Sequence, residues 1–342
     1  MTRDLTRRLM MGGLAAAPLA GCATGARRPS EPATVQVNLT AAPLPPPPPS
    51  VAGAEADGAL RTGFDAVRRM TVKTMIDESG PYAFVVDTGA NRSVLSAEIA
   101  DALTLPTSGQ AMVHGIAGVL PSRTTTVRRL TVGNLVSRRV KMPVLPRGYL
   151  GADGLLGVDV LANRRATMDF ANQVFTLEPP RARDNAGSRI GKDPLPGEVV
   201  VDAKQRFGQL TIVNAEMGGV PLTAFLDSGA EITVGNTVLR DALLGRPGVL
   251  GARRTQVELV SATGQLVGGE LAVAPPLRLG GVRLGNLTCV FADLHTFRIW
   301  DLTDRPAMLI GVDVMRHFDS ITLDFAQSDV TFRSKAFARN AG

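Results

Sequence analysis

Hydrophobic and polar positions alternate with a period of two in several short stretches of the chain, and turn residues separate these stretches. Thr71-Val72-Lys73-Thr74-Met75-Ile76 alternates in this way, and Asp77 to Pro81 supplies a turn. Val127 to Val132 and Val140 to Leu145 predict further strands, with Gly133-Asn134 between them. A period of two puts alternate side chains on opposite faces of a strand. The run Leu287-Thr288-Cys289-Val290-Phe291 is nearly all apolar and predicts a buried strand. Short helices are expected at two places. Ser96 to Leu103 carries a serine N-cap, and Asn236 is placed to cap a second helix. Many short strands at this spacing predict an all-β sandwich or barrel.

The pattern occurs twice. Phe84-Val85-Val86-Asp87-Thr88-Gly89-Ala90 is echoed 140 residues later by Ala224-Phe225-Leu226-Asp227-Ser228-Gly229-Ala230. Val132-Gly133-Asn134-Leu135 is echoed by Leu284-Gly285-Asn286-Leu287, and Leu155-Leu156-Gly157-Val158-Asp159-Val160 by Leu309-Ile310-Gly311-Val312-Asp313-Val314. Met168-Asp169-Phe170-Ala171 returns as Leu323-Asp324-Phe325-Ala326. The order is kept in both halves, which marks an internal repeat.

Residues 1–22 have a basic start and an apolar stretch, Leu9 to Gly21, too short to span a bilayer. The ending Leu19-Ala20-Gly21-Cys22 resembles a bacterial lipoprotein lipobox. That resemblance implies cleavage before Cys22, lipid on Cys22, and an exported, periplasmic protein anchored to an envelope membrane. Thr6-Arg7-Arg8-Leu9-Met10 also resembles a twin-arginine export signal. Residues 29–50 hold eight prolines, five of them consecutive from Pro45 to Pro49, and predict an extended spacer.

Composition narrows the function classes. At 342 residues and 44% hydrophobic, the chain has material for about two domains. Two cysteines exclude a disulfide scaffold, and three histidines argue against a His-rich metal site. The formal net charge of +6 comes without a long basic run and with only 4% aromatic residues, so no nucleic-acid partner is expected. Gly187 to Lys192 has the wrong spacing for a phosphate loop. Cys289 is expected to be structural rather than catalytic.

The paired Asp-Thr/Ser-Gly-Ala segments carry the candidate chemistry. An Asp at a strand end puts a carboxylate at the rim of the fold, and the glycine after it permits a tight turn and close approach. If the two loops meet, Asp87 and Asp227 share a proton, because two carboxylates about 3 Å apart resist joint ionisation. One can then serve as general base to a water while the other, protonated, polarises a carbonyl. Thr88 and Ser228 offer hydroxyls able to bond across to the opposing loop.

Over roughly residues 63–335 the sequence resembles the aspartic proteases of the pepsin/retropepsin type, and most of all their bacterial, retroviral-like branch, in which Ala follows the glycine. The resemblance implies a bilobal acid-protease fold, with two related β-barrel-like lobes about a pseudo-twofold axis. It implies that Asp87 and Asp227 are catalytic, that Thr88, Gly89, Ser228 and Gly229 support the catalytic loops, and that Leu155-Leu156-Gly157 and Leu309-Ile310-Gly311 pack beneath them. It also implies a hydrolase that needs no metal or other cofactor. Both copies lie in one chain, so a two-lobed monomer is expected. The flap is less clearly marked. Val113 to Gly118 and Ser261 to Gly264 are candidates, with Gly115, Ile116, Thr263 and Gly264 as substrate-binding positions, and neither has the tyrosine common in pepsin flaps. His114 is expected to be an exposed hairpin residue. Asp159 and Asp313 are expected to be helix-start acids.

The expected organisation is a signal peptide with lipobox at 1–22, a proline-rich linker at 23–62, an N-terminal lobe at 63–178, an inter-lobe linker at 179–206 and a C-terminal lobe at 207–335. The expected function is an endopeptidase acting on exported or envelope polypeptides. The alternative is a non-catalytic peptide-binding or structural envelope lipoprotein that keeps the protease fold.

Overall fold

In the computed structural model of the chain, the described residues are 35–38, 59–162, 164–179, 195–206, 208–246, 254–335 and 337. The signal segment with Cys22, and most of both expected linkers, lie outside them. Among the described residues, no helix is long and apolar enough to cross a membrane.

The first strand, β1 (Val35–Asn38), falls inside the stretch expected to be a spacer. It runs parallel to a strand of the C-terminal lobe, from Val35↔Val282 to Asn38↔Gly285. The prolines stop at Pro32 and resume at Pro43, so this short window keeps every N–H that a ladder needs. Strand β2 (Ala59–Phe64) also begins inside the expected linker, and it pairs with β3 (Met70–Ile76). The turn into β4 (Ser79–Val86) is tighter than expected. Asp77 takes a left-handed φ of 53°, and Ile76 already pairs with Ser79. β5 (Val94–Ser96) leads into α1 (Ala97–Ala102), where the Ser96 hydroxyl caps the Ile99 N–H at 3.3 Å, as expected.

A hairpin of β6 (Thr107–His114) and β7 (Val119–Val132) follows, and β7 turns at Gly133-Asn134 into β8 (Leu135–Leu145). Next come α2 (Arg147–Leu150), β9 (Gly154–Leu156) and α3 (Val158–Leu161), and the lobe ends in β10 (Arg165–Asp169) and β11 (Val174–Glu178). Strand pairing runs β3–β4–β9–β5–β8–β7 and returns to β3, which closes a six-stranded barrel.

The second lobe repeats this plan. Its first strand, β12 (Glu198–Arg206), corrects the expected inter-lobe linker, which was drawn to residue 206. The four prolines that suggested a linker, at 179, 180, 194 and 196, all precede it, and Val199 to Val201 are free to enter a ladder. After β13 (Gln209–Met217), β14 (Val220–Leu226) and β15 (Val234–Gly235) comes α4 (Thr237–Leu244), capped as expected by Asn236, which accepts from the Leu239 N–H at 2.9 Å.

The hairpin of β16 (Arg254–Val260) and β17 (Leu266–Val273) is the counterpart of β6–β7. Here the long strand is interrupted. Pro275 and Pro276 have no N–H to give, so β17 stops and β18 (Leu277–Leu279) resumes the pairing with β13. The rest is β19 (Val282–Gly285), β20 (Thr288–Phe291), α5 (His295–Ile299), β21 (Ala307–Ile310), α6 (Val312–Met315), β22 (Ser320–Asp324) and β23 (Asp329–Arg333).

The lobes share one antiparallel sheet in the order β2–β11–β10–β22–β23–β12. At its centre, Thr167 pairs with Thr322, its counterpart in the repeat, and their hydroxyls lie 2.9 Å apart. A residue can pair with its own repeat counterpart only on the twofold axis, so this pair marks where the axis passes. The fold is therefore all-β and bilobal with pseudo-twofold symmetry, as the sequence predicts. A large core runs through both barrels and the shared sheet. Two smaller equivalent clusters flank it, one around Val85, Val94, Leu150 and Leu155, the other around Phe225, Val234, Trp300 and Leu309.

The two caps should differ in cost. Asn236 is 2% exposed and makes four hydrogen bonds, to Leu302, Arg305, Leu239 and Ala307, whereas Ser96 makes the single cap bond. Denaturant titration should find Asn236→Ala destabilising by about 3 kcal/mol, because buried partners are left unsatisfied, and Ser96→Ala by about 1 kcal/mol. Equal losses would show that the Asn236 bonds to the 302–307 segment carry no weight.

Candidate active site

Asp87 follows the end of β4, and Asp227 follows the end of β14. Each backbone N–H is tied to the strand beneath it, Asp87 to the Leu156 carbonyl at 3.0 Å and Asp227 to the Ile310 carbonyl at 2.9 Å. This is how the two apolar-apolar-Gly segments pack under the loops. Each carboxylate accepts N–H groups of its own loop, Asp87 from Gly89 and Ala90 at 2.9 Å and Asp227 from Gly229 at 2.9 Å. The two carboxyls lie close enough that each shifts the ionisation of the other. A Cβ on Gly89 would run into the Asp227 carboxyl, and one on Gly229 into the Asp87 carboxyl. Glycine is thus required at both positions by the opposite lobe's acid.

The next residues lock the loops together. The Thr88 hydroxyl donates to the Leu226 carbonyl at 2.8 Å and accepts the Ser228 N–H at 3.0 Å. Reciprocally, the Ser228 hydroxyl donates to the Val86 carbonyl at 2.7 Å and accepts the Thr88 N–H at 3.1 Å. Both residues are buried, so each bond is made without competition from water.

Burial dominates the ionisation of the pair. It pushes Asp227 up to about 8, and the charge of Asp87 adds to the rise. Burial raises Asp87 as well, and there the Arg69 guanidinium opposes the rise. The pair accordingly keeps a proton into the neutral range.

A second layer of support was missed at the level of sequence. The Ser93 hydroxyl donates to Asp159 at 2.8 Å and accepts the Gly157 N–H at 3.0 Å. In the other lobe, the Thr233 hydroxyl donates to Asp313 at 2.7 Å and accepts the Gly311 N–H at 3.0 Å. Asp159 and Asp313 do stand in the first turns of α3 and α6, but they also hold the far ends of the two Asp loops through Ser93 and Thr233. The signal was present, since both acids recur in the repeat together with a hydroxyl residue six positions after the loop Asp. Cys289 is fully buried, and burial raises its thiol far above the usual range, so it is unreactive.

Both flap candidates are hairpin tips, and the two tips meet. A Cβ on Gly115 would collide with the Ser261 hydroxyl and come within 2.6 Å of that of Thr263. The Gln265 amide donates to the Val119 carbonyl at 3.1 Å, and the Ile116 carbonyl accepts the His295 N–H at 2.7 Å. The tips also cross. Ile116 packs on the C-terminal cluster around Phe225 and Trp300, and Ala262 packs on the N-terminal cluster around Val85 and Leu150. Thr263 is 3% exposed and is occupied by this contact, while Gly264 lies against the ring of Tyr149 on α2. His114 is exposed, as expected, and its ring stacks on that of His295 with centroids 5.4 Å apart.

Comparison with known proteins follows the same division into halves. A family model described as aspartyl protease matches residues 72–160 and 213–314. Among solved structures, a retropepsin-like aspartic protease from Rickettsia conorii is similar at 19% identity, over 30% of this chain and 78% of that one, with a TM-score of 0.22. Basic 7S globulin from soybean is similar at 10% identity, over 83% of this chain and 96% of that one, with a TM-score of 0.39. A search of curated proteins finds no match to this chain. The two matched segments together span more than half of the chain, and each holds one Asp-Thr/Ser-Gly-Ala loop, so this protein belongs to the aspartyl protease family.

Proposed function

We propose that the protein is an aspartic endopeptidase whose catalytic residues are Asp87 and Asp227, exported and held at an envelope membrane by lipid on Cys22. The observation that carries the enzymatic reading is the contact of two buried carboxyls across a reciprocal Thr88–Ser228 brace. An extended polypeptide would lie between the lobes and add main-chain hydrogen bonds as a further strand. The meeting tips around Gly115, Ile116, Thr263 and Gly264 must part to admit it and would then close over it.

The chemistry needs one proton on the pair. The ionised carboxylate takes a proton from a water, whose oxygen attacks the peptide carbonyl carbon. The protonated carboxyl gives its proton to the carbonyl oxygen, leaving a neutral tetrahedral diol. As the diol collapses, the ionised carboxyl takes one hydroxyl proton while the carboxyl that took the proton from water gives it to the amide nitrogen, so the C–N bond breaks and the pair again holds one proton. Activity should therefore fall when the pair is doubly protonated at low pH, and again when it is fully ionised above about pH 8.

Three outcomes test this reading. Asp87→Asn and Asp227→Asn should each reduce peptide-library cleavage by at least about 10³-fold while circular dichroism stays native; undiminished cleavage in either variant refutes the assignment. The second outcome does not depend on turnover. The folded pair holds its proton to a higher pH than an unfolded aspartate does, so its burial costs nothing below about pH 4. As pH rises from there towards 8, the unfolded chain ionises first and stability is lost. Asp227→Asn removes this cost, so its melting temperature should match the wild type at pH 3.5 and exceed it by roughly 3 °C at pH 8. An unchanged difference across that range would mean that no proton is held there. Third, Cys22→Ser should move the protein from the membrane fraction to the soluble fraction of the cell envelope, and an unaltered distribution would rule out the lipid anchor.

A further inference from the structure

The repeat places Arg69 and Gln209 at matching positions, each 18 residues before its lobe's aspartate. Both reach across the axis to the same atom of the opposite catalytic loop. Arg69 Nη1 donates to the Gly229 carbonyl at 3.1 Å, and Gln209 Nε2 donates to the Gly89 carbonyl. Each is well shielded from water, the Arg69 side chain being 12% exposed and Gln209 2% exposed. As fasteners the two are equivalent; in charge they are not. Arg69 is a cation, and Asp65 holds it from the other side through Nε at 2.6 Å. Its Nη2 donates to the Leu150 carbonyl at 2.5 Å, at the end of the helix whose Tyr149 meets the opposite hairpin tip. The position matching Asp65 in the other lobe is Gln205, so that side carries neither the cation nor its counter-ion.

We propose that Arg69 is a positioning residue that breaks the symmetry of the carboxyl pair, placing the negative charge on Asp87 and leaving the proton on Asp227, while Gln209 supplies the same mechanical bond without the charge. This rests on the reading of Asp87 and Asp227 as the catalytic pair and assigns their separate roles. Asp87 becomes the base that activates water, and Asp227 the acid that polarises the carbonyl. The pull of Arg69 is the leading charge effect on Asp87 and opposes its burial, whereas the leading charge effect on Asp227 is that of Asp87, which raises it further. The other charged groups around the pair are Asp65 beside Arg69, Asp159 and Asp313 behind Ser93 and Thr233, and the exposed Arg92 and Glu231 further along the two loops.

The test is the acid limb of kcat/KM against pH in the full chain, read together with a ¹³C titration of the aspartate carboxyls, which needs no turnover. Removing Arg69 and Asp65 together, in Asp65→Asn/Arg69→Gln, should raise the limb by about 0.5–1 unit, because the charge on the pair loses its cation. Asp65→Asn alone leaves the cation unbalanced and should lower it. Gln209→Met removes the matching bond without a charge and should reduce kcat with the limb in place. Arg69→Lys should restore most of the wild-type profile. Variants that lose kcat with superimposable limbs would overturn the proposal and leave Arg69 a plain fastener. If the double variant does not fold, Asp65→Asn decides alone, and an unmoved or raised limb overturns the proposal. If the wild type cleaves no peptide, the endopeptidase reading fails separately, and the carboxyl titration still decides whether Arg69 polarises the pair.

Discussion

The structure turns on a pair of buried carboxyls that neither lobe can hold alone. Each is covered by the opposite lobe's glycine, and burial raises both. What keeps them face to face is a small closed circuit: two hydroxyls, Thr88 and Ser228, each bonded to the carbonyl and the N–H of the other lobe. Because those bonds are buried, losing one would strand a polar group away from water, and the loops are correspondingly fixed. The Ser93–Asp159 and Thr233–Asp313 supports extend the same circuit downward to the glycines of the underlying segments.

That circuit lies on the axis that the shared sheet also obeys. Thr167 meets Thr322 as Thr88 meets Ser228, each residue with its own counterpart. Above the loops, the crossed hairpin tips repeat the theme, each resting on the other lobe's small core. The two barrels, the dyad and the hairpins are thus related by one symmetry element. A displacement of one lobe relative to the other would disturb all three.

The departures from symmetry carry chemical meaning. The Pro275-Pro276 break splits one long strand in two without changing the ring of pairings, so it leaves the site alone. Arg69 against Gln209 is a different matter. Hydrogen-bond donation to a carbonyl is kept, but a charge is placed on one side only. In the proposed reaction one carboxyl acts as base and the other as acid, and this inequality would fix which does which.

The repeat, the strand-turn pattern, the two helix caps, the two aspartates and their bracing hydroxyls were all legible in the sequence, because each depends on residue type at close spacing. Alternation sets which face is buried, a side-chain oxygen one residue before a helix sets the cap, and a strand ending in Asp-Thr/Ser-Gly sets a tight polar turn. Strand β1 was not legible because it is four residues long between proline-rich stretches, and β12 because four prolines stand just ahead of it; pairing with a distant strand helps to set both. Nor were the crossing of the hairpins or the reach of Arg69 and Gln209 to opposite loops. Those contacts join residues of different lobes whose proximity follows from closing the barrels about a common axis, and no local pattern encodes such a distance.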